Sequence, residues 1–292
     1  MNQEKLVSVV IPCYNCEKFV KDAIYSICNQ TYKNLEILIA DDCSTDSTYT
    51  ILENIAKKDT RIKLYHNTEN MKIVKTLNFL IENASGDYIA RMDADDISAP
   101  ERIKEQVDFL DNNSDYGICG TNAWHINAEN KIIGKSLLPE NSTEIQLAYN
   151  FYCVFYHPSV MIRSSLYKVN RYKEEYLYAE DFELWKRLLI LTKGTNLSEK
   201  LLYYRVLRTS ISNSSQTSNI QKQITTTLCT INDFSILKDI KNKIVLGKIL
   251  NDRTLLIKNK KLWMKFCILI YLFYRLFEKF YCFMRNKKVM PR

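Results

Sequence analysis

Four short apolar runs, each followed by a loop and a helical pattern, constrain this chain more than anything else in it. Leu6-Val-Ser-Val-Val-Ile11 is rich in β-branched residues and is stopped by Pro12. Leu35-Glu-Ile-Leu-Ile-Ala40, Arg61-Ile-Lys-Leu-Tyr65 and Tyr88-Ile-Ala-Arg-Met92 repeat the theme. Short continuous apolar runs of this kind suit strands buried on both faces, as in a parallel sheet. The segments between them carry helical spacing. Phe19, Val20, Ala23, Ile24 and Ile27 mark a helix from about Cys16 to Gln30, and further helices are expected up to Lys58 and over Met71 to Asn83. Strand and helix in alternation, with short loops, means βαβ units. The expected fold is α/β: a Rossmann-like, mostly parallel central sheet flanked by helices, with a C-terminal helical extension.

In such sheets ligands sit beyond the carboxyl ends of the strands. Three polar clusters fall there: Pro12-Cys-Tyr-Asn15, Asp41-Asp-Cys-Ser-Thr-Asp46 and the acids of Gly86-Asp-Tyr-Ile-Ala-Arg-Met-Asp-Ala-Asp-Asp-Ile97. The last stretch begins as a buried strand and ends in Asp93, Asp95 and Asp96. Oxygen ligands on a short loop suit Mg²⁺ or Mn²⁺, which also hold substrate phosphates. The plainer reading is a solvated acidic turn that caps the next helix, for which Pro100 suits the first turn before Arg102, Gln106 and Leu110. Three clusters on one edge favour the ligand site. Ser44 or Asp46 can cap the helix after the second strand.

Beyond residue 115 the pattern changes. Strands are expected at 117–122, 123–126, 157–163 and 201–205, with Ile132-Ile-Gly134 pairing back after a turn. Helices are expected after Ser142 and from Tyr178 to about Leu191. A Ser/Thr/Gln-rich linker, Asn213 to Asn219, separates domain 1–212, with halves 1–115 and 116–212, from an extension at 213–292. The net charge of +8 is concentrated in that extension: residues 238–292 carry fifteen Lys and Arg against three Asp and Glu. Its aromatic run is broken by Lys265, Arg275, Glu278 and Lys279, and the uninterrupted part, Phe266 to Tyr274, is too short to span a bilayer. A helix over 255–290 lying on an anionic membrane surface fits. The alternative is packing on its own domain or on a second subunit, as in a homodimer. No nucleic-acid reading motif accompanies the charge. Met1 to Lys5 leads straight into a strand, and the nine scattered cysteines suit reduced thiols, so a cytoplasmic protein, peripheral on the inner membrane face, is expected.

Ile11-Pro-Cys-Tyr-Asn15, Asp41-Asp-Cys-Ser-Thr-Asp46, Gly86 to Asp96, His157-Pro-Ser-Val-Met161 and Glu180-Asp181 occur in this order. Together they resemble the family-2 glycosyltransferases, inverting enzymes of the GT-A fold, over roughly residues 6–208. The resemblance implies a nucleotide-diphosphate sugar donor, a UDP-sugar foremost, and a hydroxyl acceptor on a glycan, lipid-linked in surface polysaccharide or lipopolysaccharide synthesis. It implies that Pro12, Tyr14 and Asn15 flank the base and that Asp42 accepts a hydrogen bond from it. Lys72 and Arg91 join the donor-binding set. Asp93 holds the ribose or the metal shell, and Asp95 ligates Mn²⁺ or Mg²⁺, which leaves Asp96 as the helix cap. Asp181 is the expected general base, with Glu180 competing for the role on the acceptor side. His157 shapes that side or is a satisfied structural histidine.

Two departures stand out. Asn70-Met-Lys72 replaces Asn-x-Gly, and Arg205-Val-Leu207 replaces Arg-x-His, so Arg205 or Arg208 is the candidate to supply what Leu207 cannot. Two other functions fit less well. One is an inactive sugar-nucleotide-binding subunit of a glycan assembly complex. The other is a sugar nucleotidyltransferase, which needs a Gly-rich basic loop after the first strand that this chain lacks.

Overall fold

The computed structural model describes residues 4–149 and 153–207. The expected helical extension 213–292, with its stretch 255–290, and Arg208 lie outside the described residues. In chain order the elements are β1 (Val7–Cys13), α1 (Val20–Cys28), β2 (Leu35–Asp41), α2 (Thr48–Ala56), β3 (Ile62–His66), α3 (Lys72–Asn83), β4 (Tyr88–Arg91), β5 (Ile97–Ser98) and α4 (Arg102–Asn112). They continue with β6 (Tyr116–Ile126), β7 (Ile132–Lys135), α5 (Ser142–Ala148), β8 (Met161–Arg163), α6 (Ser164–Val169), α7 (Glu180–Leu191) and β9 (Lys193–Arg205).

One sheet joins all nine strands in the order β3-β2-β1-β4-β8-β6-β9-β5, with β7 paired to β6. β3, β2, β1 and β4 run parallel, as their uninterrupted apolar runs require. β2 is buried along its whole length, whereas edge strand β3 alternates in exposure. Val20, Ala23, Ile24 and Ile27 of α1, and Val74, Leu77, Leu80 and Ile81 of α3, are the buried faces of their helices. Each of the valines, leucines and isoleucines among them contributes about 1.5–3 kcal/mol on burial.

Across β4 the pattern turns mixed. β8 lies antiparallel to both β4 and β6, and β9 runs parallel to β6. Two reversals bring β6 and β9 back to the direction of β4. The ends of β1, β2, β4, β6 and β9, and the residues entering β8, therefore share one edge. The expected halves 1–115 and 116–212 thus contribute to a single sheet.

Several local expectations differ. The two strands expected over 117–126 are one, β6, with register shifts around Asn122. The strand expected at 157–163 opens as a 3-10 turn, His157–Ser159, and only Met161–Arg163 is extended. Pro158 has no N–H to give a ladder, which accounts for the late start. The last strand begins at Lys193 rather than Leu201. β5 and α6 were not foreseen: β5 is two residues long and exists only through its pairing with Leu202 and Tyr203 of β9.

Candidate active site

Gly86 opens the acidic stretch, and nothing larger fits there. A Cβ at this position would stand 2.7 Å from the backbone of Leu6 and Ser8. β4 then runs buried to Arg91 and releases Asp93, Asp95 and Asp96 at the shared edge. One carboxylate oxygen from each acid lies within 4.8 Å of the others. The Asp96 carboxylate is buried and its Oδ2 has no hydrogen-bond partner. Burial, and then the neighbouring Asp93 charge, push the Asp95 carboxyl up to about 6. The same causes, joined by Asp95, hold Asp96 well above the carboxylate range. Crowded, part-buried oxygen donors with an orphaned acceptor form a donor set that a hard divalent cation fits.

Asp96 does not cap the next helix. α4 starts at Arg102 without a side-chain cap, and Asp96 Oδ1 instead accepts from the backbone N–H of Arg205 at 2.6 Å. The cap expectation failed because a distant strand claimed the acid first. Arg91 is 3% exposed, and its Nη2 pairs with Asp93 Oδ1 at 2.5 Å. Burial works against its charge, but the Asp93 carboxylate more than offsets this and holds the guanidinium above its ordinary pKa. Arg91 therefore sits behind the acids as their counter-ion, where its contact is with Asp93.

The base-side loops are tied to one another. Asn15, in a left-handed conformation, donates its backbone N–H to Ser44 Oγ at 3.0 Å, and its Oδ1 accepts from the Thr45 N–H at 2.8 Å. Tyr14 is exposed beside it and Pro12 is half-buried. Asp46 accepts from the Thr48 N–H at 2.9 Å, so it supports the start of α2 as expected. Asp42 is buried, and its carboxylate serves the entry to α3. Oδ1 accepts from Asn67 Nδ2 and the Met71 N–H at 2.8 Å, and Oδ2 from the Lys72 N–H at 2.9 Å. A carboxylate offers about four acceptor positions, which leaves about one for a base. Lys72 is exposed with φ +69°, the conformation that favours glycine where this chain departs from Asn-x-Gly.

On the opposite side, α7 begins at Glu180, so Glu180 and Asp181 lie in its first turn. Asp181 Oδ1 accepts from the Phe182 N–H at 2.7 Å, and Oδ2 from the Cys153 thiol at 3.6 Å. Glu180 is buried with Oε2 unpartnered. Burial, and then the Asp181 charge, push Glu180 up to about 7, and burial raises Asp181 as well. His157 Nε2 shares a 2.6 Å hydrogen bond with Tyr172 Oη, which also bonds Tyr167 Oη. Burial, and then Arg91, hold this imidazole well below its ordinary pKa, so it is neutral. Neutral and hydrogen-bonded, His157 is part of the wall. Cys153 and Tyr172 were not singled out in the sequence, and no spacing or motif marks them.

Arg205 does not face a ligand either. It is 2% exposed, and Nε, Nη1 and Nη2 all end on acceptors of the chain itself. Among the described residues, no helix is long and apolar enough to cross a membrane.

The curled, mostly parallel α/β sheet has the architecture of the GT-A glycosyltransferases. Residues 8–169 match Glycosyl transferase family 2, and the chain belongs to that family. It is 36% identical over 211 residues to an uncharacterized glycosyltransferase of Haemophilus influenzae, covering 69% of this chain and 65% of that protein. It is also 36% identical to the putative glycosyltransferase EpsE of Bacillus subtilis, over 70% of this chain and 74% of that one. Identity is 30% to WfgD of Escherichia coli, a UDP-Glc:alpha-D-GlcNAc-diphosphoundecaprenol beta-1,3-glucosyltransferase, over 78% and 86% of the two chains. Among solved structures, S. aureus TarS 1-349 with UDP-GlcNAc superposes with a TM-score of 0.61 at 20% identity, covering 85% of this chain and 80% of that one. The mannosyltransferase PcManGT of Pyrobaculum calidifontis, in complex with GDP-Man and Mn²⁺, gives 0.56 at 15%, over 72% and 59%.

Lys72→Gly relieves a left-handed conformation that costs a non-glycine residue about 1 kcal/mol or more. It should stabilise the protein by about 0.5–1 kcal/mol in urea unfolding. A donor KM that rises alongside assigns the lysine side chain to the phosphates, and an unchanged KM assigns it to solvent.

Proposed function

We propose that this glycosyltransferase is inverting and divalent-cation-dependent. It moves a sugar from a nucleoside-diphosphate donor, a UDP-sugar foremost, to a hydroxyl of a glycan acceptor. The observation that carries this reading is the meeting of the Asp93, Asp95 and Asp96 oxygens within 4.8 Å at the carboxyl end of β4. WfgD acts with UDP-Glc on a diphosphoundecaprenol-linked sugar, as its name states, and supports a lipid-linked acceptor in polysaccharide synthesis.

Asp95 and Asp93 would hold Mn²⁺ or Mg²⁺, which when bound neutralises charge on the leaving diphosphate. Pro12, Tyr14, Asn15 and the remaining acceptor position of Asp42 receive the base, while Lys72 reaches toward the phosphates. Arg91 keeps Asp93 oriented from behind. On the acceptor side Asp181 takes the proton of the attacking hydroxyl. The hydroxyl oxygen bonds to the anomeric carbon as the bond to the diphosphate oxygen breaks, with inversion and no covalent intermediate. Glu180 and neutral His157 shape the acceptor pocket.

Burial raises the Asp181 carboxyl, so the base is lost at higher pH than an ordinary aspartate, and the acid limb of kcat/KM should lie above the usual carboxylate range. Asp181→Asn should lower kcat by about 10²–10⁴-fold with donor binding unchanged. Full turnover in that variant would give the base role to another residue. Asp95→Asn should abolish the rise in Tm that Mn²⁺ gives the wild type, and retained Mn²⁺-dependent transfer would remove Asp95 from the ligand set. Binding of donor without turnover in the wild type would instead point to an inactive binding subunit.

The basic, aromatic stretch 255–290 supports a peripheral position on the cytoplasmic face of a membrane, with each basic residue near an anionic surface worth about 1 kcal/mol. Removing residues 250–292 should abolish co-sedimentation with phosphatidylglycerol-containing liposomes. Undiminished binding would place the attachment elsewhere in the chain.

A further inference from the structure

Among the arginines at the shared edge, Arg205 is held most completely, and nothing in the transfer step uses it. It is the last residue of β9, and four of its groups are committed within one small volume. Its backbone N–H donates to Asp96 Oδ1, and its Nε donates to the main-chain carbonyl of Asp95, each at 2.6 Å. Nη1 donates to the Asn127 carbonyl at 2.7 Å, and Nη2 to Asn130 Oδ1 at 2.6 Å. The guanidinium carbon stands 4.4 Å from the centre of the Phe19 ring. Asn130 is itself fixed, in a left-handed turn, with Nδ2 donating to Asp22 at 3.3 Å.

The three sides of this clasp come from α1 and the loop before it, the β6–β7 turn and the acid loop. The same strand stitches the loop further along. Ile97 and Ser98 pair with Tyr203 and Leu202, and the Ala99 N–H donates to the Leu201 carbonyl at 2.9 Å. Residues 95–99 thus hang from β9, with Arg205 gripping the part that carries the acids.

We propose that Arg205 is the positioning residue of the cation loop: through the Asp95 carbonyl and Asp96 it fixes where the Asp95 carboxylate stands, and so sets the affinity for the divalent cation. This rests on the reading of the loop as a cation site. The role is indirect, because the guanidinium is buried and its donors end on the chain's own acceptors. It also gives a physical account of the Arg-x-Leu departure. Without a histidine two residues on, the strand's contribution is made from behind the acids.

A lysine cannot replace this arrangement. The planar fork meets three acceptors in different directions, whereas an ammonium on a flexible stem presents donors at a single point. Partners that orient metal ligands are typically worth 10–100-fold in metal affinity.

The test is direct Mn²⁺ titration of the full chain by calorimetry, for wild type, Arg205→Lys and Asn130→Ala, with Tm measured in EDTA and with kcat and donor KM measured as Mn²⁺ is varied. Arg205→Lys should bind Mn²⁺ 10–100-fold more weakly, and its kcat should recover toward wild type once Mn²⁺ exceeds the new Kd. Asn130→Ala loosens one contact of the clasp and should weaken Mn²⁺ binding in the same direction by less. A folded Arg205→Lys that binds Mn²⁺ as tightly as wild type overturns the proposal, as does a kcat deficit that saturating Mn²⁺ leaves untouched. If Arg205→Lys does not fold, Asn130→Ala decides alone, and wild-type Mn²⁺ affinity there overturns it. A wild-type chain that binds no Mn²⁺ removes the cation reading itself and this inference with it, a result distinct from the others.

Discussion

Three carboxylates brought within 4.8 Å of one another repel, and the architecture around them is arranged to hold them there. Burial makes the problem harder, since charge is costly away from water. The Asp95 and Asp96 carboxyls are raised above the ordinary range, so both take up protons more readily than a free aspartate. Arg91 from β4 pairs with Asp93, and Arg205 from β9 contributes positive charge beside Asp95 and Asp96. Behind them Arg102 of α4 donates to the Arg91 carbonyl at 2.6 Å, and Gln106 ties the Cys119 and Ser159 carbonyls to the same helix. The loop is thus braced by elements on both sides of β4. On the proposed reading, the loop is shaped for a doubly positive ion before one arrives.

The donor edge solves a different problem, that of bringing three loops close without collapse. Asn15, Cys43 and Lys72 each adopt left-handed backbone there. Asp42 sits between the second and third loops and satisfies the opening amides of α3, the ordinary use of an acid at a helix N-terminus. On the proposed reading, structure and recognition draw on the same carboxylate. The opposing wall is drier: His157 stands between Tyr172 and Trp185, with ring centroids 5.5 and 5.8 Å away. On the proposed reading, a polar donor side and an aromatic, part-buried acceptor side suit chemistry in which water must not compete with the sugar hydroxyl.

The first four strands and their helices were legible because each is announced locally. Val7 to Ile11 and Leu35 to Ala40 are apolar throughout, and the inner face of α1 follows its 3.6-residue period. The acids at strand ends were legible for the same reason, since βαβ topology alone puts Asp42 and Asp93 on one edge. What the residues did not announce was partnership. Nothing near Asp96 indicates that it bonds to a residue 109 positions away, and nothing near Ile97 indicates a strand that β9 alone creates. Nothing near Asp42 indicates that it holds the entry to α3, because the loop that brings Met71 and Lys72 to it closes in space rather than in sequence. Lys72 was visible as a departure from glycine, but the reason for glycine, a positive φ, is a property of the folded turn.

The clasp between Arg205 and the acid loop also bears on the order in which the protein becomes competent. Contacts of this separation are slow to form, because a long loop must close before they repay its entropy. During synthesis the acids leave the ribosome well before the strand that fixes them, while β1 to β4 have their neighbours early. A nascent chain can thus own a nearly complete parallel block and still lack a settled acid loop. Whatever the acid loop binds then waits for the closing strand, so the site is completed late in synthesis rather than early.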